Sequence, residues 1–104
     1  MVHFQNIRNR AIRLTDERLQ HLESDHSEMV GQTSRIVRTL ADPDRIVRSR
    51  TDATVELFYQ WYAATPVTAK FLCVVVHALP DAPFMITAYH TDAAKRGTVL
   101  WEKT

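Results

Sequence analysis

The sequence predicts an α+β fold: two N-terminal helices followed by an antiparallel β-meander of four to five strands, with one helix packed on the sheet. Three observations carry it. Apolar residues recur at helical spacing between Met29 and Leu40, and from Arg45 onward the period changes to two, with β-branched and aromatic residues dominating. Between the two patterns Asp42-Pro43-Asp44 stops the helix, because proline cannot continue the hydrogen-bond ladder. With 104 residues, 45% of them apolar and only two of them glycine, the chain is expected to form one domain, 1–104, without a linker.

Taken in order, Arg10-Ala11-Ile12-Arg13-Leu14 alternates and reads as a short strand or an extended lead-in. Thr15-Asp16-Glu17 starts the first helix, a hydroxyl cap followed by two carboxylates where the helix dipole favours them. Asp25 with Glu28 has the spacing of a reciprocal cap, so a second helix is expected to begin there with His26 at its first position. That helix shows Met29, Thr33, Ile36, Val37 and Leu40 on one face, with Arg35 and Arg38 on the other. Strands are expected at about 45–50, 54–62, 70–78, 84–90 and 98–102. The run Phe71 to Val76 is apolar on both faces and belongs in the centre of the sheet. In the next strand Phe84, Ile86 and Ala88 form the expected core face, leaving Met85, Thr87 and Tyr89 on the other.

A formal net charge of +1 neither demands nor excludes nucleic acid, so the distribution of charge matters more. Residues 1–14 hold Arg8, Arg10 and Arg13 without an acid, and 35–50 hold Arg35, Arg38, Arg45, Arg48 and Arg50 against two aspartates. A solvated surface accounts for both stretches as simply as a ligand does. The one cysteine, Cys73, sits in an apolar run, which rules out an intrachain disulfide and fits a buried thiol in a reducing compartment. No apolar run approaches membrane-spanning length, and the cytoplasm is the expected location, with no membrane partner.

The candidate chemistry lies at the expected helix break, which carries two of the five histidines. The N-terminal field of the second helix disfavours a charged His26 ring. The C-terminal half of the first helix, with Asp16, Glu17, Glu23 and Asp25 nearby, favours a charged His21. If the helix instead ran straight through, His26 would join the stripe of Leu19 and Leu22 as a half-buried core residue. A metal site is disfavoured, since His21 and His26 are five apart rather than four and no HExxH is present.

The order His21-Leu22-x3-His26-x-Glu28-Met29, then Asp42-Pro43-Asp44, Cys73-Val74-Val75-Val76, Ile86-Thr87-Ala88-Tyr89 and Gly97-x-Val99-Leu100-Trp101 resembles a known family. It is similar to the phage-type domains of the barnase, EndoU, colicin and RelE (BECR) superfamily of metal-independent ribonucleases, over roughly residues 12 to 102. Ser27 stands where such domains commonly carry the proline of His-Pro-Glu. The resemblance implies helices followed by a four-stranded antiparallel sheet, with an RNA-cleaving site on the exposed sheet surface and no cofactor or metal. The matching catalytic positions are His21 and His26, an arginine of an early strand (Arg48, with Arg50 beside it as a substrate contact), and the hydroxyls of Thr87 and Tyr89. Tyr59 and Trp101, with Trp61 and Tyr62, are candidates to stack splayed bases. The implied partners are RNA, either tRNA or mRNA, and, for relatives that act as toxins, an antitoxin or immunity protein; edge strands also suit a homodimer. The competing expectation is a non-catalytic RNA- or protein-binding module on the same fold. One arginine against five carboxylates between Thr15 and Glu28 favours it, because that balance repels phosphate.

Overall fold

A hairpin precedes both helices in the computed structural model, which describes residues 2–66 and 68–103. Strands β1 (Val2–Gln5) and β2 (Ala11–Leu14) pair antiparallel, and alternation buries Phe4, Ile12 and Leu14. Asn6 shapes the turn: its Oδ1 accepts from the N–H of Arg8 at 2.9 Å and of Arg10 at 3.0 Å. Asn9 takes the left-handed conformation there, φ 61°, which a short polar side chain tolerates. The three arginines of this basic stretch have architectural partners. Arg8 pairs with Glu56, Arg10 donates to the carbonyls of Leu79 and Pro80, and Arg13 donates to that of Ala82. Arg8 ties the hairpin to the strand at 55–62, and Arg10 and Arg13 tie it to the turn at 79–82.

Helix α1 (Asp16–Asp25) is capped by Thr15, whose Oγ1 accepts from the Arg18 N–H at 3.1 Å, an interaction that typically contributes about 1 kcal/mol. It buries Leu22 and ends at His26, whose N–H still donates to the Leu22 carbonyl at 2.8 Å. One 3-10 turn follows, Ser27–Met29, and then Gly31 in the left-handed conformation, φ 76°. Helix α2 therefore spans Thr33–Ala41 and does not begin at Asp25, since the glycine reverses the backbone twist between them. It buries Ile36, Thr39 and Leu40 against the sheet.

Strands β3 (Arg45–Arg48), β4 (Val55–Tyr62), β5 (Lys70–His77), β6 (Phe84–Thr91) and β7 (Thr98–Glu102) complete the fold. The described residues form one curled, seven-stranded sheet in the order β1-β2-β6-β5-β4-β3-β7. This overturns the expected arrangement of two helices followed by an antiparallel meander of four to five strands. The N-terminal hairpin adds two strands, β2 joins β6 in parallel at Arg13↔Phe84, and β7 pairs with β3 rather than with its predecessor β6. Two physical reasons underlie the difference. The β6 edge is already taken by β2 and α1, and β6 and β7 run in the same sense, so a tight hairpin cannot join them.

One sheet face packs on the helices through Ile46, Phe58, Leu72, Val74, Met85 and Ala88. The opposite face carries a second apolar cluster, Val47, Val55, Leu57, Tyr59 and Cys73, flanked by Phe71, Val75, Ile86 and Tyr89. Residues 92–97 cross this second face as a strap on their way to β7. Ala94 packs on the cluster, and the Lys95 N–H donates to the Tyr59 hydroxyl at 3.0 Å. The expected face assignment of β6 is corrected by a bulge. Val75 pairs with Thr87 but Val76 pairs with Met85, so Ile86 is the extra residue, and Met85 rather than Ile86 enters the helix-side core.

Candidate functional site

Beyond Phe84 the edge of β6 has no paired strand among the described residues, and α1 lies beside it. The cleft between them has a volume of about 550 Å³ and is lined by His21, Thr87, Ile86 and the polar side chains of Glu17, Arg18 and Asp25. Two residues far apart in sequence, one helical and one in a strand, thus meet in one groove. The His21 ring is exposed, its Nε2 3.9 Å from Glu17 Oε1 one turn earlier. His26 is half-buried at the helix end. Its ring centroid lies 6.1 Å from that of Tyr89, and its Nδ1 is 3.7 Å from Glu28 Oε1.

The opposed helix-end fields expected for the two histidines are absent. His26 closes the C-terminus of α1 and leads only into a three-residue 3-10 turn, so both rings lie in the C-terminal half of one helix, each beside a carboxylate.

Tyr89 belongs to a row of three across the sheet, Tyr59 on β4, Cys73 on β5 and Tyr89 on β6, because these residues are register partners. Burial pushes both phenols well above their ordinary value and pushes the Cys73 thiol up to about 11. All three keep their protons at neutral pH, which leaves the Tyr89 phenol able to donate a hydrogen bond and unable to act as a base.

The other residues expected from sequence are distributed unevenly. Arg50 lines a second cavity, on the open sheet face, together with Tyr89. Arg48 is exposed on β3, between Glu56 and Thr98, and lines neither cavity. Trp101 packs against the helix-side core, on the far face of the sheet from Tyr89. Tyr59 is fully buried and holds the strap, so its ring face is closed to a base.

Three residues escaped the sequence reading. Lys95 and Arg96 join Arg50 at the second cavity, and the adjacent pair of cations before Gly97 was the available signal. His90 faces Leu72 on β5 and has both ring nitrogens buried without a partner among the described residues. Burial lowers its pKa below the ordinary imidazole value, opposed by the Glu28 carboxylate and reinforced by the Arg35 guanidinium. The folded chain therefore binds fewer protons at His90 than the unfolded chain. Its stabilising contribution is complete above about pH 6.5 and is lost as the pH falls from there through the folded value. Urea midpoints measured between pH 7.5 and 5 are expected to fall more steeply for the native chain than for His90→Gln; equal slopes would refute this.

Among the described residues no three of His, Cys, Asp and Glu converge as metal ligands, and no helix is long and apolar enough to cross a membrane. Comparison with protein-family models, curated proteins and solved structures finds no match for this chain.

Proposed function

We propose that this chain is a ribonuclease that cleaves RNA without a metal, by attack of a ribose 2′-hydroxyl on its own 3′-phosphate. The observation that supports it most is the meeting of His21 with Thr87 in one groove; His26 does not line that groove, and its ring centroid stands 6.1 Å from that of Tyr89, two residues beyond Thr87 on the same strand. An unprotonated imidazole takes the 2′-hydroxyl proton, and the other, protonated, gives a proton to the departing 5′-oxygen. The bond from phosphorus to the 5′-oxygen breaks as the bond to the 2′-oxygen forms, leaving a 2′,3′-cyclic phosphate and a free 5′-hydroxyl. Thr87 and Tyr89 donate hydrogen bonds to the phosphoryl oxygens as charge builds, and Arg50, on the neighbouring cavity, holds the phosphate of the next nucleotide.

The purified chain is expected to cut end-labelled RNA in EDTA, leaving cyclic phosphate ends, and to spare DNA, which lacks the nucleophile. RNA that stays intact, or cleavage abolished by the chelator, would overturn the reading. One observation favours the second reading, a non-catalytic RNA- or protein-binding module. Glu17 and Asp25 face the groove against a single Arg18, and they repel a phosphate there. Under that reading RNA stays uncut whether or not the chain retains it.

A further inference from the structure

The second cavity, on the open sheet face, has a volume of about 660 Å³, within the range of small-molecule clefts (roughly 300–1,000 Å³). Its floor is aliphatic, formed by Val55, Leu57, Val75 and Ile86. Its rim holds Arg50, Lys95 and Arg96 against the single carboxylate of Asp52. None of the three cations has an ion pair or side-chain hydrogen bond among the described residues, whereas Arg8, Arg45, Lys70 and Lys103 are each paired with a carboxylate. Unpaired cations converging over an apolar floor suit a ligand with a flat, weakly polar body and an anionic group.

The rim also supplies hydrogen-bond partners for a heterocycle. Ser49 and Thr51 present hydroxyls 3.2 Å apart. Asp52 Oδ1 accepts from the Thr54 N–H at 2.9 Å and from the Thr54 hydroxyl at 2.6 Å. These bonds fix an ionised carboxylate that accepts from ring or exocyclic N–H groups. A fatty acid would leave these polar groups unused. Ile86 is shared between this cavity and the groove holding His21 and Thr87, so the two spaces adjoin.

From this arrangement we infer that the cavity binds one nucleotide, its base on the Val55, Leu57, Val75 and Ile86 floor and its phosphate held by Arg50, Lys95 and Arg96. The inference deepens the ribonuclease reading by naming where the nucleotide beside the scissile bond sits, and it rests on that reading only for the strand to which the nucleotide belongs. The strap explains how the site is built. Residues 92–97 deliver Lys95 and Arg96 to the rim because the Lys95 N–H is anchored on Tyr59 and Ala94 is seated on the apolar cluster.

Titration of the methyl-labelled chain with the four nucleoside 5′-monophosphates, followed by NMR, tests this. Saturable shifts are expected at the methyls of Val55, Leu57, Val75 and Ile86, with nucleosides and inorganic phosphate each binding at least about tenfold more weakly. Lys95→Gln and Arg96→Gln are each expected to weaken nucleotide binding about tenfold while leaving the unliganded spectrum folded; if one variant misfolds, the other and Arg50→Gln carry the test. Silent methyls at millimolar nucleotide, equal affinity for nucleosides, or phosphate binding as tightly as nucleotide would each overturn the inference. Cleavage is scored separately. A chain that binds nucleotides here but leaves RNA intact retires the nuclease reading and keeps the pocket. One that cuts RNA while these methyls stay silent does the reverse.

Discussion

Replacing His21 or His26 by alanine is expected to slow RNA scission by about a hundred- to ten-thousand-fold, the range associated with losing a positioned general acid or base. In the proposed mechanism the two rings act on one proton-transfer sequence, so the double variant is expected to fall little further than the worse single variant. Geometry makes this a clean experiment. His21 is exposed where α1 borders the groove, and His26 is half-buried at the helix end, so neither substitution opens a cavity in the main core, whose buried residue on this helix is Leu22. The stability of both variants should stay close to that of the native chain. RNA affinity, measured by retardation in a gel, distinguishes the readings: a nuclease loses cleavage and keeps binding, whereas a binding module has no cleavage to lose. A scission rate unchanged in the double variant removes the basis for assigning chemistry to this groove. Thr87→Val and Tyr89→Phe keep the shape of β6 and remove one donor each, so a smaller loss in turnover is expected from each, with affinity little changed.

The parts of this architecture that periodicity can report were legible in the sequence, and the parts set by long-range pairing were not. Ile36 and Leu40 of the α2 stripe and the two-faced apolar run of β5 follow from residue spacing alone, whereas Thr33 and Val37, expected on the same stripe, are exposed and Thr39 is buried instead. Thr15 announced its cap because capping is local. Gly31 was visible as a residue, but its left-handed conformation, and with it the later start of the second helix, depends on how α1 and α2 reach the sheet. The β6 bulge has no sequence signature at all. Inserting Ile86 as an extra residue moves Met85 into the core and places Ile86 and Tyr89 on the same outer face. Strict alternation gave the opposite assignment for Met85 and Ile86 and still placed Thr87 with Tyr89, because both follow the insertion. The path of β7 back to β3 was equally hidden, and with it the strap that carries Lys95 and Arg96 over the sheet. Of the candidate site, the helical histidines and the β6 hydroxyls could be named in advance because each lies within a local pattern. Lys95 and Arg96 at the second cavity could not, because only the crossing of residues 92–97 brings them to the face that Arg50 and Tyr89 share.

Gly97→Ala is expected to destabilise the chain by about 1–3 kcal/mol, the usual cost of forcing atoms into a packed position. A Cβ on Gly97 would lie 2.7 Å from the Arg48 carbonyl oxygen and 2.8 Å from Val47 Cγ1, distances that real Cβ atoms essentially never show. The carbonyl belongs to the β3 backbone, which is paired on both sides by β4 and β7, so it cannot yield. The strap must move instead. For a domain of this size, each kcal/mol lost lowers Tm by roughly 4–8 °C. Movement at Gly97 also slackens the hydrogen bond from the Lys95 N–H to the Tyr59 hydroxyl, so that amide should exchange with solvent faster than in the native chain. Gly31→Ala supplies the contrast. An added Cβ there meets nothing within 4 Å, and the cost is confined to the left-handed backbone at φ 76°, about 1–2 kcal/mol, with no effect on Lys95 exchange. Loss of stability in both variants, with Lys95 exchange accelerated only in Gly97→Ala, is the outcome that a strap resting on β3 requires. Unchanged Lys95 protection in Gly97→Ala would mean that the strap is held by something other than its contact with that strand.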